Sequence, residues 1–183
     1  DLNGDGRIDA NDCAYQLYAA LPQIYYGFNI ELEWRGFGLN AYFQGMGRST
    51  VTTTLASIYQ PLYGNERNIS EHYMENRWSP YNTSGHYPRL TTQSNANNFA
   101  PSSLWTECGD FLKLRTLSLS YKLPARLASK IRMRECCLYL KGMNLFSADR
   151  IDILDPEYIN TGYPSARSYQ IGFNPVSYTH LTL

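Results

Sequence analysis

The clearest regularity in the chain is an alternation of apolar and polar residues over 24–35, IYYGFNIELEWR. Tyr26, Phe28, Ile30, Leu32 and Trp34 fall on one parity. Tyr25, Gly27, Asn29, Glu31, Glu33 and Arg35 fall on the other. A period of two without exception predicts a strand with one apolar face. The run is long: about ten tilted residues cross a hydrocarbon layer, whereas soluble strands average about five or six. Gly36 marks a tight turn, and 37–46, FGLNAYFQGM, alternates again, with Phe37, Leu39, Ala41 and Phe43 opposite Gly38, Asn40, Tyr42 and Gln44. Two such runs predict an antiparallel hairpin turning at Arg35-Gly36.

Three further strands follow. Residues 109–123 place Leu112 and Leu114 on one parity and Leu117, Leu119, Tyr121 and Leu123 on the other, so the phase slips once, near Arg115-Thr116. A β-bulge there restores one apolar face. Residues 124–134 are basic, open on Pro124 and predict a short helical turn. Residues 135–144 return to strand, with Cys136, Leu138 and Leu140 facing away from Tyr139 and Lys141. Residues 167–174 set Tyr169, Ile171 and Phe173 against Ser168, Gln170 and Gly172. Pro175 is expected to interrupt that strand, because it cannot donate to a ladder.

Between the strands, connection lengths alternate. The turn at 35–36 and the link at 124–134 are short, while 47–107 and roughly 145–165 are long. The longest, rich in Thr, Ser, Asn, Tyr and Pro, has no sustained period. About sixty residues of loop is foreign to a compact soluble domain but ordinary outside a membrane barrel. If the final strand ends in the periplasm, both long loops fall outside the cell. Glu31, Glu33, Lys113, Arg115 and Lys141 all take the polar parity, as they must if the other face meets lipid. There a mid-bilayer cation costs about 2–4 kcal/mol. The expected fold is therefore all-β: about five antiparallel strands of a transmembrane barrel, forming an open sheet when taken alone, with long extracellular loops.

Composition sharpens this only in part. Of 183 residues 16 are Tyr, a type suited to membrane interfaces but also to sugar-binding sandwiches. Trp34 and Phe37, beside the short turn, fit a periplasmic aromatic belt. Zero formal net charge gives no general attraction to nucleic acid. No apolar run is long enough for a transmembrane helix. Cys13, Cys108, Cys136 and Cys137 have neither metal-ligand spacing nor the density of a disulfide scaffold.

One local motif carries chemistry. In DLNGDGRIDAND, Asp1, Asn3, Asp5, Asp9 and Asp12 stand at positions 1, 3, 5, 9 and 12 of an EF-hand-like loop. Gly6 serves the sharp turn and Arg7 offers its backbone carbonyl. This spacing wraps hard oxygen ligands around one calcium ion in a structural role. The alternative is an Asx/Gly-rich turn without metal. Catalytic groupings do not assemble: His72, His86 and His180 are far apart in sequence, and Glu31 and Glu33 read more simply as two lumen-facing acids than as a glycosidase pair. The chain is not expected to be an enzyme.

The segments DLNGDGRID, YGFNIELEWRGFGLNAYFQG, Arg77-Trp78 with Pro80, PRL at 88–90, FLKLRTLSLSYKLP, LYLKGMNLF, DPE at 155–157 and the last aromatic strand occur in this order. Together they resemble the C-terminal region of SusC/RagA-type TonB-dependent transporters of Bacteroidetes-like bacteria, over about residues 1–174. The resemblance implies an outer-membrane barrel of about twenty-two strands around a plug. It implies a SusD-type surface lipoprotein as lid, energy delivered by TonB through a region preceding Asp1, and import of oligosaccharides or peptides. Chain start and missing Met fit a piece whose targeting signal lies upstream, and 175–183 departs from the family's aromatic ending, as a non-native tail would. Trp78, Tyr81, Tyr87 and Trp105, on or beside the longest loop, either contact substrate or lid or pack the loop itself. A soluble carbohydrate-binding β-sandwich and a calcium-dependent adhesion module are the competing readings.

Overall fold

The computed structural model describes residues 2–7, 9–15, 18–65, 67–151, 154–158 and 163–177. Five long strands form one antiparallel sheet: β1 (Ile24–Trp34) and β2 (Phe37–Gly47), then β5 (Phe111–Lys122), β6 (Met133–Asp149) and β7 (Ser168–Ser177). Their order is β1-β2-β5-β6-β7, so each strand lies beside its nearest long neighbour in sequence. Two short strands, β3 (Thr50–Thr52) and β4 (Thr106–Cys108), pair separately at the base of the longest loop.

The alternation read from the sequence becomes two continuous faces. One carries the rows Phe28–Phe43–Leu114–Phe146, Leu32–Leu39–Leu119–Leu140–Ile171 and Trp34–Phe37–Tyr121–Leu138–Phe173. No charged side chain interrupts these rows. The opposite face carries Glu31–Asn40–Ser118–Lys141–Gln170 and Gly27–Gln44–Lys113–Ser147. No second sheet covers the apolar side: Phe28, Ile30, Leu32 and Leu119 are 42 to 59 % exposed. The two-layer arrangement that a soluble sandwich needs is therefore absent among the described residues.

Two local features hold this register. Trp34 pairs with Phe37 across a two-residue turn in which Arg35 (φ 49°) and Gly36 (φ 87°) are both left-handed, the requirement of a type I′ hairpin. A Cβ on Gly36 would lie 2.9 Å from the Lys122 carbonyl oxygen, so glycine also admits β5. The phase slip in β5 is a bulge at Arg115: Thr116 pairs with Tyr42 and Leu114 with Phe43, leaving Arg115 extra. The β5–β6 register shifts at the same place. Leu112 and Leu117 thereby share the apolar face despite their opposite parity.

Structure and expectation differ at the last strand. β7 continues through Pro175 to Ser177. Pro175 lies opposite Cys136, whose carbonyl points the other way and accepts from Leu123 N–H at 2.9 Å. No ladder bond is demanded of Pro175, and β7 is an edge strand, where proline is tolerated. Residues 178–183 lie outside the described residues. The basic link behaves as expected, forming α2 (Ala125–Lys130) with Pro124 as its N-cap.

The longest loop is a packed unit. Ile58, Tyr73, Tyr87, Phe99 and Trp105 form its core, with Leu55, Tyr59, Ile69, Leu90, Leu104 and Leu154 against it. Helix α1 (Glu71–Asn76) is capped by Ser70 Oγ, which accepts from Tyr73 N–H. Polar tips inside the unit are satisfied: Trp105 Nε1 donates to Asn98 O at 2.9 Å, Tyr73 Oη to Pro88 O at 3.0 Å, and Tyr59 Oη to Phe99 O. Burial, with Tyr87 alongside, pushes the Tyr73 hydroxyl up to about 12.

Candidate functional site: the polar face and its charged clasp

The polar face carries one built cluster. Lys113 and Arg115 sit two residues apart on β5, and Asp155 and Glu157 two apart in the loop between β6 and β7. Lys113 Nζ donates to Asp155 Oδ1 and, at 2.9 Å, to Glu157 Oε2; Arg115 Nη2 donates to Glu157 Oε1. The Arg115 bulge aims its guanidinium along the face, where Nε also meets Gln44 Oε1 at 3.0 Å and Nη1 meets Asn144 Oδ1 at 3.4 Å. Asp155 closes its own loop by accepting the N–H of Glu157 (3.0 Å) and of Ser165 (3.1 Å).

Lys113 is 3 % exposed. A cation so buried persists only when paired. Burial alone would raise the Asp155 carboxyl. Hydrogen bonds from Lys113 and from the Glu157 and Ser165 backbones outweigh it and bring Asp155 to about 2. Glu157 is lowered against its own burial by Arg115 and Lys113. Both carboxyls are therefore ionised at neutral pH. A cleft of about 560 Å³ opens beside the clasp, lined by Lys113, Asn144, Asp149, Asp155, Ser165 and Arg167 among others. Leu154, next to Asp155, packs against the long-loop core. The clasp thus joins the sheet wall to both loops.

Sequence alone does not pair these four charges. The signal lies in the matching spacing, two cations two residues apart and two acids two residues apart.

The aromatic candidates divide. Trp105 (2 % exposed) and Tyr87 (5 %) are core residues of the loop unit, which assigns them to packing rather than to contact with substrate or lid. Trp78 (39 %) and Tyr81 (101 %) face solvent. Tyr81 projects from a tight turn in which Ser79 and Asn82 exchange backbone bonds at 3.0 Å. Tyr87 gathers both His72 and His86 edge-on, at 5.7 and 5.1 Å between rings. His86 is its neighbour in sequence, whereas His72 reaches it from α1. His180 lies outside the described residues. Glu31 accepts from Asn40 Nδ2 at 2.7 Å and behaves as a wall residue.

At the opening motif, Asp12 accepts Leu2 N–H at 2.6 Å and Asp9 N–H at 2.7 Å, Asp5 accepts Arg7 N–H at 2.8 Å, and Asp9 accepts Asn11 N–H at 2.8 Å. The bonds from Asp9 and Leu2 hold the Asp12 carboxyl below the usual range. Asp1 lies outside the described residues. Among the described residues, no group of three His, Cys, Asp or Glu side chains converges as a metal site. The loop as placed is closed by its own backbone donors.

No family model matches the chain. Two relatives in Formosa agariphila do. TonB-dependent receptor P26 is 29 % identical over 178 residues, 97 % of this chain and 18 % of that protein. TonB-dependent receptor P3 is 28 % identical over 191 residues, covering 95 % and 18 %. The chain therefore spans under a fifth of the relatives it matches. In three dimensions it resembles the RagAB peptide transporter, with a TM-score of 0.69 and 25 % identity over 92 % of this chain and 19 % of that one. The RagAB peptide importer in its open-open state gives 0.68 and 22 %, with the same coverage.

An open antiparallel sheet with one uncharged apolar face, one polar face and long loops at one end defines a segment of a membrane β-barrel. In sequence and in three dimensions alike, the chain is similar to SusC/RagA-type TonB-dependent receptors of the bacterial outer membrane.

Proposed function

We propose that this chain forms C-terminal barrel strands of a transporter that imports oligosaccharides or peptides across the outer membrane. A SusD-type lipoprotein covers its extracellular mouth, and TonB drives it through a region outside this chain. The observation that carries the reading is the partition of the sheet. Every charged side chain in the paired rows lies on one face, and the other is apolar from Phe28 to Phe173. An apolar face left uncovered and backed by a charged one is what a wall between lipid and a watery passage asks for. The RagAB likeness supports peptides as cargo, since those structures are described as a peptide importer. Exposed Trp78 and Tyr81 are the side chains offered to substrate or lid.

Calcium at Asp1, Asn3, Asp5, Asp9, Asp12 and the Arg7 carbonyl belongs to the same proposal, in a structural role. Its support is the ligand spacing.

The test is uptake by cells carrying the intact parent protein. Labelled oligopeptides and oligosaccharides should enter with the parent and with TonB, and should not enter when either is deleted. Uptake unchanged by both deletions defeats the proposal. So does a parent that stays in the aqueous fraction without detergent.

A further inference from the structure

The apolar face is hollowed at its short-turn end. A groove of about 490 Å³ runs there between Leu32, Trp34, Leu39, Leu119, Leu138 and Ile171, with almost no polar surface. At its lower lip the Arg35 guanidinium carbon lies 5.0 Å from the centre of the Trp34 ring. Because Trp34 belongs to the apolar face, Arg35 is drawn to that face and away from the lumen. Among the described residues no carboxylate pairs with it. Glu33 lies on the opposite face, and Glu135 is held by Lys122 at 3.2 Å. The other connection at this end adds exposed Arg126, Lys130, Arg132 and Arg134. Arginine is also a poor choice for its own turn. Position 35 has φ 49°, which Asn or Gly adopts more readily. The turn alone does not explain the residue.

We propose that this groove binds one anionic phospholipid of the periplasmic leaflet, with an acyl chain along the groove and its phosphate at Arg35. The inference rests on the outer-membrane reading above with the short turns facing the periplasm. An apolar slot in a lipid-facing wall takes an acyl chain, and a cation at the headgroup level selects negative charge. Stacking on Trp34 holds the guanidinium in place without neutralising it.

The experiment is native mass spectrometry of the intact protein extracted in detergent, with phosphatidylglycerol or phosphatidylcholine added at equal concentration. Wild type should retain phosphatidylglycerol in preference. R35N keeps a turn-forming residue and removes the cation, and should lose that preference by about fivefold, the effect of one cation near an anionic headgroup. R35K should keep most of it. L39W, which fills the groove with apolar bulk, should weaken retention of both lipids. Equal retention of the two lipids by wild type overturns the inference. So does R35N holding as much phosphatidylglycerol as wild type, or a second protein copy appearing in place of lipid. Lipid retention is read without transport: a protein that imports but shows no lipid preference sinks this inference alone, and one that binds lipid but does not import sinks only the transport reading.

Discussion

Lys113 on the wall of the sheet and Glu157 in the last loop meet at 2.9 Å across 44 residues of sequence. That pair, with Asp155 and Arg115, ties the sheet to the loop between β6 and β7. Lys113 is also the one buried charge among the described residues. Replacing Lys113 with Met leaves two acids facing each other in a largely dry site. The expected cost is about 3 kcal/mol, the lower end for a broken buried pair, because Arg115 still holds Glu157. Hydrogen exchange at 154–158 and 163–167 should rise sharply while β1 and β2 keep their protection. Unchanged exchange in that loop would contradict the clasp.

The same clasp has a defined pH window. Asp155 titrates at about 2 in the folded protein against 3.8 for the free group, and Glu157 is also lowered. A depressed folded-state pKa adds stability above the unfolded value, and that stability is lost as pH falls toward the folded value. Loop protection should be level from pH 8 to about pH 5 and decline between about pH 4 and pH 2. A decline centred near pH 6 would point to histidine instead.

Neighbouring residues on β5 should respond in opposite ways to a new charge. L119K puts a cation on the apolar face at a cost of about 2–4 kcal/mol, and outer-membrane yield should fall. S118K adds one to the polar face beside Lys141 and should insert normally. Equal yields of the two variants would mean that the apolar face does not meet lipid.

Within the long loop, Trp105 and Tyr81 separate packing from display. W105A removes the centre of the core and should destabilise the loop unit by about 3–5 kcal/mol. Y81A should change stability by less than about 0.5 kcal/mol. Protease cleavage between 48 and 110 reads both. Y81A should instead weaken capture of cargo or lid protein, which W105A would affect only through unfolding.

For the opening loop, the measurement is calcium-dependent protection from proteolysis of the intact protein. Calcium should protect the segment 1–12, and D5N with D9N should abolish that effect, since each removes a hard anionic ligand. Protection identical in calcium and in chelator rules the metal out.

Much of the sheet was legible in the sequence for a simple reason. A strand's faces follow from a period of two, which needs no knowledge of distant residues. Arg35-Gly36 announced the hairpin, and the misfit between Leu114 and Leu117 located the bulge at Arg115. The chain's last strand was read too short because the Pro175 rule depends on which neighbour needs its N–H, and the sequence does not say that Cys136 turns its carbonyl toward Leu123.

The sequence by itself determined the five long strands in outline, their two faces and the alternation of short and long connections, because each is encoded in residues adjacent along the chain. Only the tertiary structure decided which charges meet and which aromatics are buried. Lys113 finds Asp155, His72 finds Tyr87, and Trp105 closes the loop core through contacts between segments with no shared period. Such contacts arise when the chain folds back to bury apolar surface and must then pair every charge taken out of water.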